Sequence, residues 1–426
     1  MIIYTVKPGD TLFAIGRRYG VSPAKVSRDN ALRYPDSLVP GQTLVLMTDD
    51  SSYTVRPGDT IASIARAFEV TPQALTEANP ELGSPEQLRP GQVLRIREGR
   101  RTKRTIDVNG YAFPRINATV LRNTLPYLTY LSPFSHQVQQ DGTLRPIDDM
   151  PLVEAARAEK VASLLTITNI NEEGEFDSDL AHAIFTDLRA QQTLFREAVA
   201  QIESKGYFGI NIDFEYIYQR DRERYNQFVV QATEALHPLG YLVTTALAPK
   251  LSGEQPGLLY EGHDYAFHGE TADYVILMTY EWGYTYGPPQ AVAPIDQVRR
   301  VLDYAVSVMP TRKILMGVPN YGYDWTLPYE QGTPARSLSN IDAVNLAAEH
   351  SAEIQFDPKA QTPFFYYTDE DGRRHVVWFE DARSTEARLR LVEEYDLGGV
   401  SYWNIGTFFP QNWLVLTSMY NVNKVL

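Results

Sequence analysis

Between Ile210 and Glu215 apolar and polar residues alternate without a break. Ile210, Ile212 and Phe214 fall on one side, and Asn211, Asp213 and Glu215 on the other. This period of two predicts a β-strand. Its bulky apolar side is suited to packing on helices, which leaves an amide and two acids together on the opposite side. Carboxylates buried side by side cost several kcal/mol unless they are hydrogen-bonded or partly protonated. A chain that bears this cost does so where a raised carboxylate pKa serves acid–base chemistry.

Further apolar runs follow Arg104. They predict strands over Asp107–Phe113, Tyr127–Pro133, Ala162–Thr168, Gly209–Glu215, Leu242–Leu247, Tyr274–Tyr280, Lys313–Val318 and Gly399–Trp403. Helical spacing lies between them, over Ser178–Lys205 (one helix or two), Asp221–Leu236, Ile295–Val308 and Thr385–Tyr395. Eight strands with interleaved helices over roughly 320 residues predict an α/β fold, a TIM (β/α)8 barrel. Chemistry in such barrels sits at the C-terminal strand ends, and Glu215 closes the fourth strand. A longer segment, about 324–380, separates the last two strands. It is rich in Tyr and Phe, and Asp369-Glu370-Asp371-Gly372 signals a hairpin.

The N-terminal part is a duplication. Tyr4-Thr5-Val6-Lys7-Pro8-Gly9-Asp10-Thr11 returns as Tyr53-Thr54-Val55-Arg56-Pro57-Gly58-Asp59-Thr60, and the Pro40-Gly41-Gln42 turn returns as Pro90-Gly91-Gln92. Each copy reads strand, helix, helix, strand. Thr11 and Thr60 are placed to cap the first helix, whose apolar positions are Leu12, Ile15 and Tyr19 or Ile61, Ile64 and Phe68. The reading divides the chain into modules at 1–48 and 52–98 and a barrel at 99–426.

Composition narrows the function. The 27 Tyr and 5 Trp suit a surface that stacks rings on sugars. With no Cys, a disulfide scaffold, a thiolate metal site and a Cys nucleophile are excluded. The seven His show no metal-ligand spacing, and no Gly-rich phosphate loop occurs, so neither a metal nor a cofactor is expected. A net charge of −14 argues against a nucleic-acid partner. The basic run Arg100-Arg101-Thr102-Lys103-Arg104 reads as a solvated linker. No apolar run has the length of a membrane span, and the N-terminus shows no recognisable signal peptide.

The strand at Gly209–Glu215 resembles the D-G-x-D-x-D-x-E strand of family 18 glycoside hydrolases. Gly209, Asp213 and Glu215 match, while Phe208 and Asn211 stand where that pattern has its first two Asp. The resemblance implies substrate-assisted hydrolysis at N-acetylglucosamine linkages. Glu215 would be the acid, Asp213 the residue that holds the acetamido N–H, and Tyr280 the donor to the acetamido carbonyl. Asn211 would hydrogen-bond Asp213 and keep it charged. Trp403 would lie under the sugar, with non-proline cis bonds after Trp403 and after Glu215. Glu281, Trp282 and Met278, from Met278-Thr279-Tyr280-Glu281-Trp282, join the substrate-binding candidates. Tyr111 and Tyr321 complete the substrate-binding candidates; like Phe113, Tyr130 and Trp325 they lie near strand ends, where rings line a cleft or, as the alternative, pack in the core. The insertion at about 324–380 is similar to the small α+β domain of some family members. The two repeats resemble LysM modules, which bind N-acetylglucosamine-containing glycans, and they are expected to act as anchors. The whole chain resembles the spore cortex-lytic glucosaminidases. This implies peptidoglycan strands as partner, a place in the spore coat, cortex or cell wall, and a monomer. A chitinase, or a lectin-like glycan-binding protein, are the alternatives; lectin-like members lose the acid that Glu215 retains.

Overall fold

The computed structural model describes residues 1–48, 52–68, 70–80, 82, 88–96 and 103–426. All eight expected barrel strands form: β1 (Thr105–Ala112), β2 (Tyr130–Pro133), β3 (Ala162–Thr168), β4 (Gly209–Asp213), β5 (Leu242–Leu247), β6 (Tyr274–Leu277), β7 (Ile314–Pro319) and β8 (Gly399–Trp403). Each is parallel to its neighbour in chain order. β8 pairs with β1 from Gly399 opposite Asp107 to Tyr402 opposite Gly110, which closes the barrel. Closure removes both sheet edges.

Residue chemistry explains the layers. Ile210, Ile212 and Phe214 are fully buried on the outer side of β4. Phe214 packs there with Phe185 and Phe228 from the surrounding helices. The long helical stretch breaks into Ser178–Thr186 and Leu188–Lys205 because Asp187 caps the second helix, accepting the Arg189 and Ala190 N–H groups. Gly206, at φ 75°, ends that helix in the left-handed conformation glycine tolerates. Inside the barrel, small polar side chains form a layer: Asn109 donates to Ser401 Oγ at 2.9 Å and accepts from Ser132 Oγ at 2.9 Å.

The insertion between β7 and β8 is a five-stranded antiparallel sheet with the helix Asn340–Glu349. Its hairpin pairs Thr362–Thr368 with Arg374–Trp378 around Gly372, at φ 81°.

Both repeats fold as strand–helix–helix–strand units, each closed by one antiparallel pair. Thr11 and Thr60 cap the first helices as expected, and Ser22 and Thr71 cap the second. Asn30 and Asn79 hold equivalent positions, each bonding the N–H and C=O of one residue on the closing strand, Val45 or Arg95. The first module packs directly on the barrel and its insertion. Thr43 donates to Gln411 Oε1 at 2.8 Å, Gln411 donates to Thr43 O at 2.7 Å, and Ile354 N–H donates to Pro40 O at 2.9 Å. Val45 lies in the core shared with the barrel, and Val39 in the core of the insertion. The basic run also differs from a free linker at its end. Lys103 Nζ donates to Thr417 O at 2.7 Å, and Arg104 lies 3.3 Å from Asp396. Arg100, Arg101 and Thr102 lie outside the described residues.

Candidate active site

β4 ends at Asp213, so Glu215 stands two residues beyond the ladder, on the same side as Asp213 and Asn211. A cleft of about 660 Å³ opens at this end of the barrel. Asp213, Glu215, Met278, Tyr280, Glu281, Trp282 and Trp403 all line it, together with Phe113. The lining holds three carboxyls and no Lys or Arg.

Electrostatics follow from that composition. Burial raises the Asp213 carboxyl above its ordinary range. Burial also raises Glu215 well above its own, with further contributions from the charges of Asp213 and then Glu281. Two carboxyls so placed cannot both ionise cheaply, which favours a proton shared within the pair. Asp213 Oδ1 is buried and has no hydrogen-bond partner within the protein, an acceptor that a substrate donor would satisfy. Burial pushes the Tyr280 hydroxyl well above its ordinary pKa, so it stays protonated and able to donate. Glu281 sits at φ 65° and accepts from the Tyr321 and Tyr323 hydroxyls, the latter at 3.1 Å. Burial raises its carboxyl, and the two tyrosines partly offset that rise.

Four expectations are corrected here. Asn211 does not bond Asp213: its amide donates to Tyr111 Oη at 2.8 Å, and its Oδ1 accepts from Thr244 Oγ1 at 2.8 Å. The amide sits one layer deeper than Asp213 and spends its hydrogen bonds across the barrel, from β1 to β5. Asp213 is therefore not held charged; its pKa moves up. Tyr111 and Tyr321 are not among the cleft-lining residues. Tyr111 is buried beneath Trp403, ring centroids 5.4 Å apart, and Tyr321 holds Glu281. The bond after Trp403 is cis, but none occurs after Glu215; the chain turns there through Tyr216 at φ 55°.

Trp403 itself is boxed by aromatic edges, with Phe134 at 4.8 Å and Phe113 at 5.8 Å between ring centroids. Two other aromatic candidates are structural. Tyr130 is buried against Tyr274 at the start of its strand, and Trp325 is buried in the insertion, donating to Gly287 O at 2.9 Å. Sequence reasoning missed Phe134 and Ser135, which line the cleft and are joined by a second non-proline cis bond. It also missed the wall made by Ile170, Phe176 and Tyr260. Phe134, Ser135 and Ile170 lie just past β2 and β3, which was the available signal; Phe176 and Tyr260 stand farther along the segments after β3 and β5, where strand ends gave none. Among the described residues no group of three or more His, Asp or Glu is arranged to hold a metal ion.

Comparison with known proteins agrees with this geometry. Residues 113–407 match the model of glycosyl hydrolases family 18, and residues 4–46 and 53–97 each match the LysM domain. A cortical fragment-lytic enzyme of Bacillus subtilis (strain 168) is 44% identical, over 100% of this chain and 99% of that protein. The crystal structure of the Bacillus megaterium QM B1551 spore cortex-lytic enzyme SleL superimposes with a TM-score of 0.91 at 39% identity, covering 100% of this chain and 99% of the other. That of the Bacillus cereus spore cortex-lytic enzyme SleL gives a TM-score of 0.87 at 39% identity, covering 99% and 98%.

Proposed function

The chain belongs to the glycosyl hydrolases family 18, and on that premise we propose that it is a retaining, substrate-assisted β-N-acetylglucosaminidase that cuts spore-cortex peptidoglycan during germination. It is a glycoside hydrolase with a TIM barrel. The cortical fragment-lytic and spore cortex-lytic names of its relatives support the cortex as substrate and the spore or cell wall as its location.

In this reading the acetamido oxygen of the bound N-acetylglucosamine attacks its own anomeric carbon, so no second protein carboxylate serves as nucleophile. Glu215 gives its proton to the leaving glycosidic oxygen and later takes one from water. Asp213 accepts the acetamido N–H on its free oxygen and balances the positive charge of the cyclic intermediate. Tyr280 donates to the acetamido carbonyl, and Trp403 supports the sugar ring. Asn211 acts from below by fixing Tyr111. The attacking group is part of the substrate, so orientation replaces concentration. The LysM modules would bind the same polymer and add avidity.

The observation that carries this reading is the buried Asp213–Glu215 carboxyl pair at the cleft, one of whose oxygens, Asp213 Oδ1, has no hydrogen-bond partner within the protein. The test is hydrolysis of purified cortex fragments, alongside N-acetylglucosamine oligomers, with product ends identified by mass spectrometry and the first-formed anomer by NMR. The expected products carry reducing N-acetylglucosamine, released as the β-anomer. Glu215→Gln should remove nearly all turnover and leave binding to insoluble cortex intact. Turnover within about threefold of wild type would dismiss Glu215 as the acid, since a positioned general acid contributes at least about a hundredfold. Products with reducing muramic ends would dismiss the glucosaminidase specificity.

A further inference from the structure

The main chain around Glu215 lies past the end of β4, where no neighbouring strand continues the ladder. Its polar groups are satisfied by one side chain. Asn169, the residue directly after β3, accepts the Glu215 N–H on Oδ1 at 2.9 Å and donates from Nδ2 to Glu215 O at 2.9 Å. The same Nδ2 donates to Asp177 O at 3.0 Å, and Asp177 N–H returns a bond to Asn169 O at 2.9 Å. Asn169 is fully buried. One residue earlier, Phe214 O faces His263 Nε2 at 3.0 Å, while His263 Nδ1 accepts the Ala248 N–H at 3.0 Å. With Nδ1 an acceptor, the ring proton is on Nε2, so the imidazole is neutral and donates to Phe214 O.

We propose that Asn169 is a positioning residue for the acid, a two-point clamp that fixes the backbone of Glu215 and so the aim of its carboxyl into the cleft. The proposal rests on Glu215 being the acid. A primary amide is suited to this task, because it offers one donor and one acceptor in a plane, as the next residue of a neighbouring strand would. Asp could accept the N–H but would set a carboxylate against Glu215 O, and Ser lacks the reach for both bonds. The clamp also joins the acid to the cleft wall, since Asn169 and Asp177 close the loop that carries Ile170 and Phe176. Without it, the Glu215 peptide groups themselves lose their partners, and only the flanking carbonyls stay held, Phe214 O by His263 and Tyr216 O by Ser178 Oγ. Misplacement by about 1 Å costs on the order of a hundredfold in rate.

The experiment compares Asn169→Ala and the milder Asn169→Ser with wild type, Glu215→Gln and Asn171→Ala, on soluble cortex fragments. Asn171 shapes the same loop by accepting the Glu175 N–H at 3.0 Å, and its side chain makes no bond to Glu215. Circular dichroism establishes that each variant is folded. For Asn169→Ala we expect kcat to fall at least about tenfold with KM within about threefold. The basic limb of the pH profile should also move to lower pH, as a loosened Glu215 carboxyl gains solvent while Asp213, Glu281 and Tyr280 still face it. Asn169→Ser should lose less in the same direction, and Asn171→Ala should stay within about twofold. The clamp is overturned if both Asn169 variants fold and keep kcat within about threefold. It is also overturned if Asn171→Ala reproduces their loss, or if the pH profiles superimpose. Turnover by Glu215→Gln would instead overturn the acid assignment itself, and the clamp with it.

Discussion

The same turn occurs twice in this chain and, among the described residues, only the first copy is docked, which gives an internally controlled perturbation. Gly41 and Gly91 occupy equivalent Pro-Gly-Gln turns, at φ 86° and 89°. Alanine at either must adopt the left-handed region, at about 1 kcal/mol. Beyond that the two positions differ. A Cβ on Gly91 meets nothing within 4 Å, whereas one on Gly41 would lie 1.8 Å from Ile354 O and 2.7 Å from its carbonyl carbon. Both atoms are main chain, so the turn itself must move by more than an ångström. That displacement breaks the bonds from Ile354 N–H to Pro40 O (2.9 Å) and from Arg383 to Gly41 O (3.2 Å). At about 1 kcal/mol for the first and somewhat more for the charged donor, Gly41→Ala loses about 2–4 kcal/mol of docking. For a chain of 426 residues that lowers the melting temperature by about 2–4 °C. Tryptophan fluorescence is the assay, because all five Trp (282, 325, 378, 403 and 413) lie downstream of both modules. Gly91→Ala should leave the fluorescence-detected midpoint within about 1 °C, its strain being confined to its own module. Equal shifts for the two variants, or none for Gly41→Ala, would refute the view that the first module braces the catalytic body.

Asp149 is buried with Lys205 Nζ at 2.7 Å, Tyr207 Oη at 2.5 Å and His136 Nε2 at 3.1 Å. Asp149→Ala leaves those donors uncompensated and should cost about 3–5 kcal/mol in urea unfolding. Burial alone would raise this carboxyl, but His136, Lys205 and Tyr207 outweigh it and the net shift is downward. Its stability contribution is therefore complete above the ordinary Asp pKa of about 3.9 and is lost as pH falls below it; urea midpoints below pH 4 should decline more steeply for wild type than for Asp149→Ala. Asn211→Asp adds a fourth carboxyl beneath Asp213, which raises the pair's titration and should carry the basic limb of the pH–rate profile upward; a profile that overlays wild type would contradict this role for the neutral amide.

Most of the barrel was legible because its strands are short apolar runs bounded by polar loops. The run Ala162–Thr168 became β3 without a change of boundary. Glu215 and Asp213 were legible for a related reason: alternation fixes which side chains share a face, whatever the tertiary context. Two kinds of information were not local. The partners of Asn211 come from Tyr111, 100 residues earlier, and Thr244, 33 residues later, and sequence spacing does not encode which layer of a barrel a side chain reaches. The adhesion of the first module depends on Gln411, 368 residues from Thr43. Its docking face looks in sequence like the same face of the second module, where Val93 replaces Thr43 and is exposed. Tyr111 and Tyr321 were placed near the right end of the barrel, yet an aromatic residue at a strand end serves equally as a wall or as a support.

The same burial that raises the Glu215 carboxyl weakens the fold, and this consequence can be measured apart from catalysis. A carboxyl whose folded pKa is raised makes the folded state bind protons more tightly than the unfolded chain. Stability attributable to it is then greatest at low pH and declines as pH rises from the ordinary carboxylate range toward the raised value, by about 1.4 kcal/mol for each unit of elevation. Asp213 and Glu215 are both raised, by burial first and for Glu215 also by each other's proximity, in a cleft whose lining offers no cation. Glu215→Gln removes one of the two titrations and the repulsion between them. Below about pH 3, where both carboxyls are protonated in folded and unfolded states alike, the variant and wild type should melt together. From there Glu215→Gln should become progressively the more stable, with the gap widest on the alkaline side of neutrality. A constant difference across pH 4–9 would mean that ionisation at this site is not coupled to folding, and that the Glu215 proton is not held there by the cost of burying its charge.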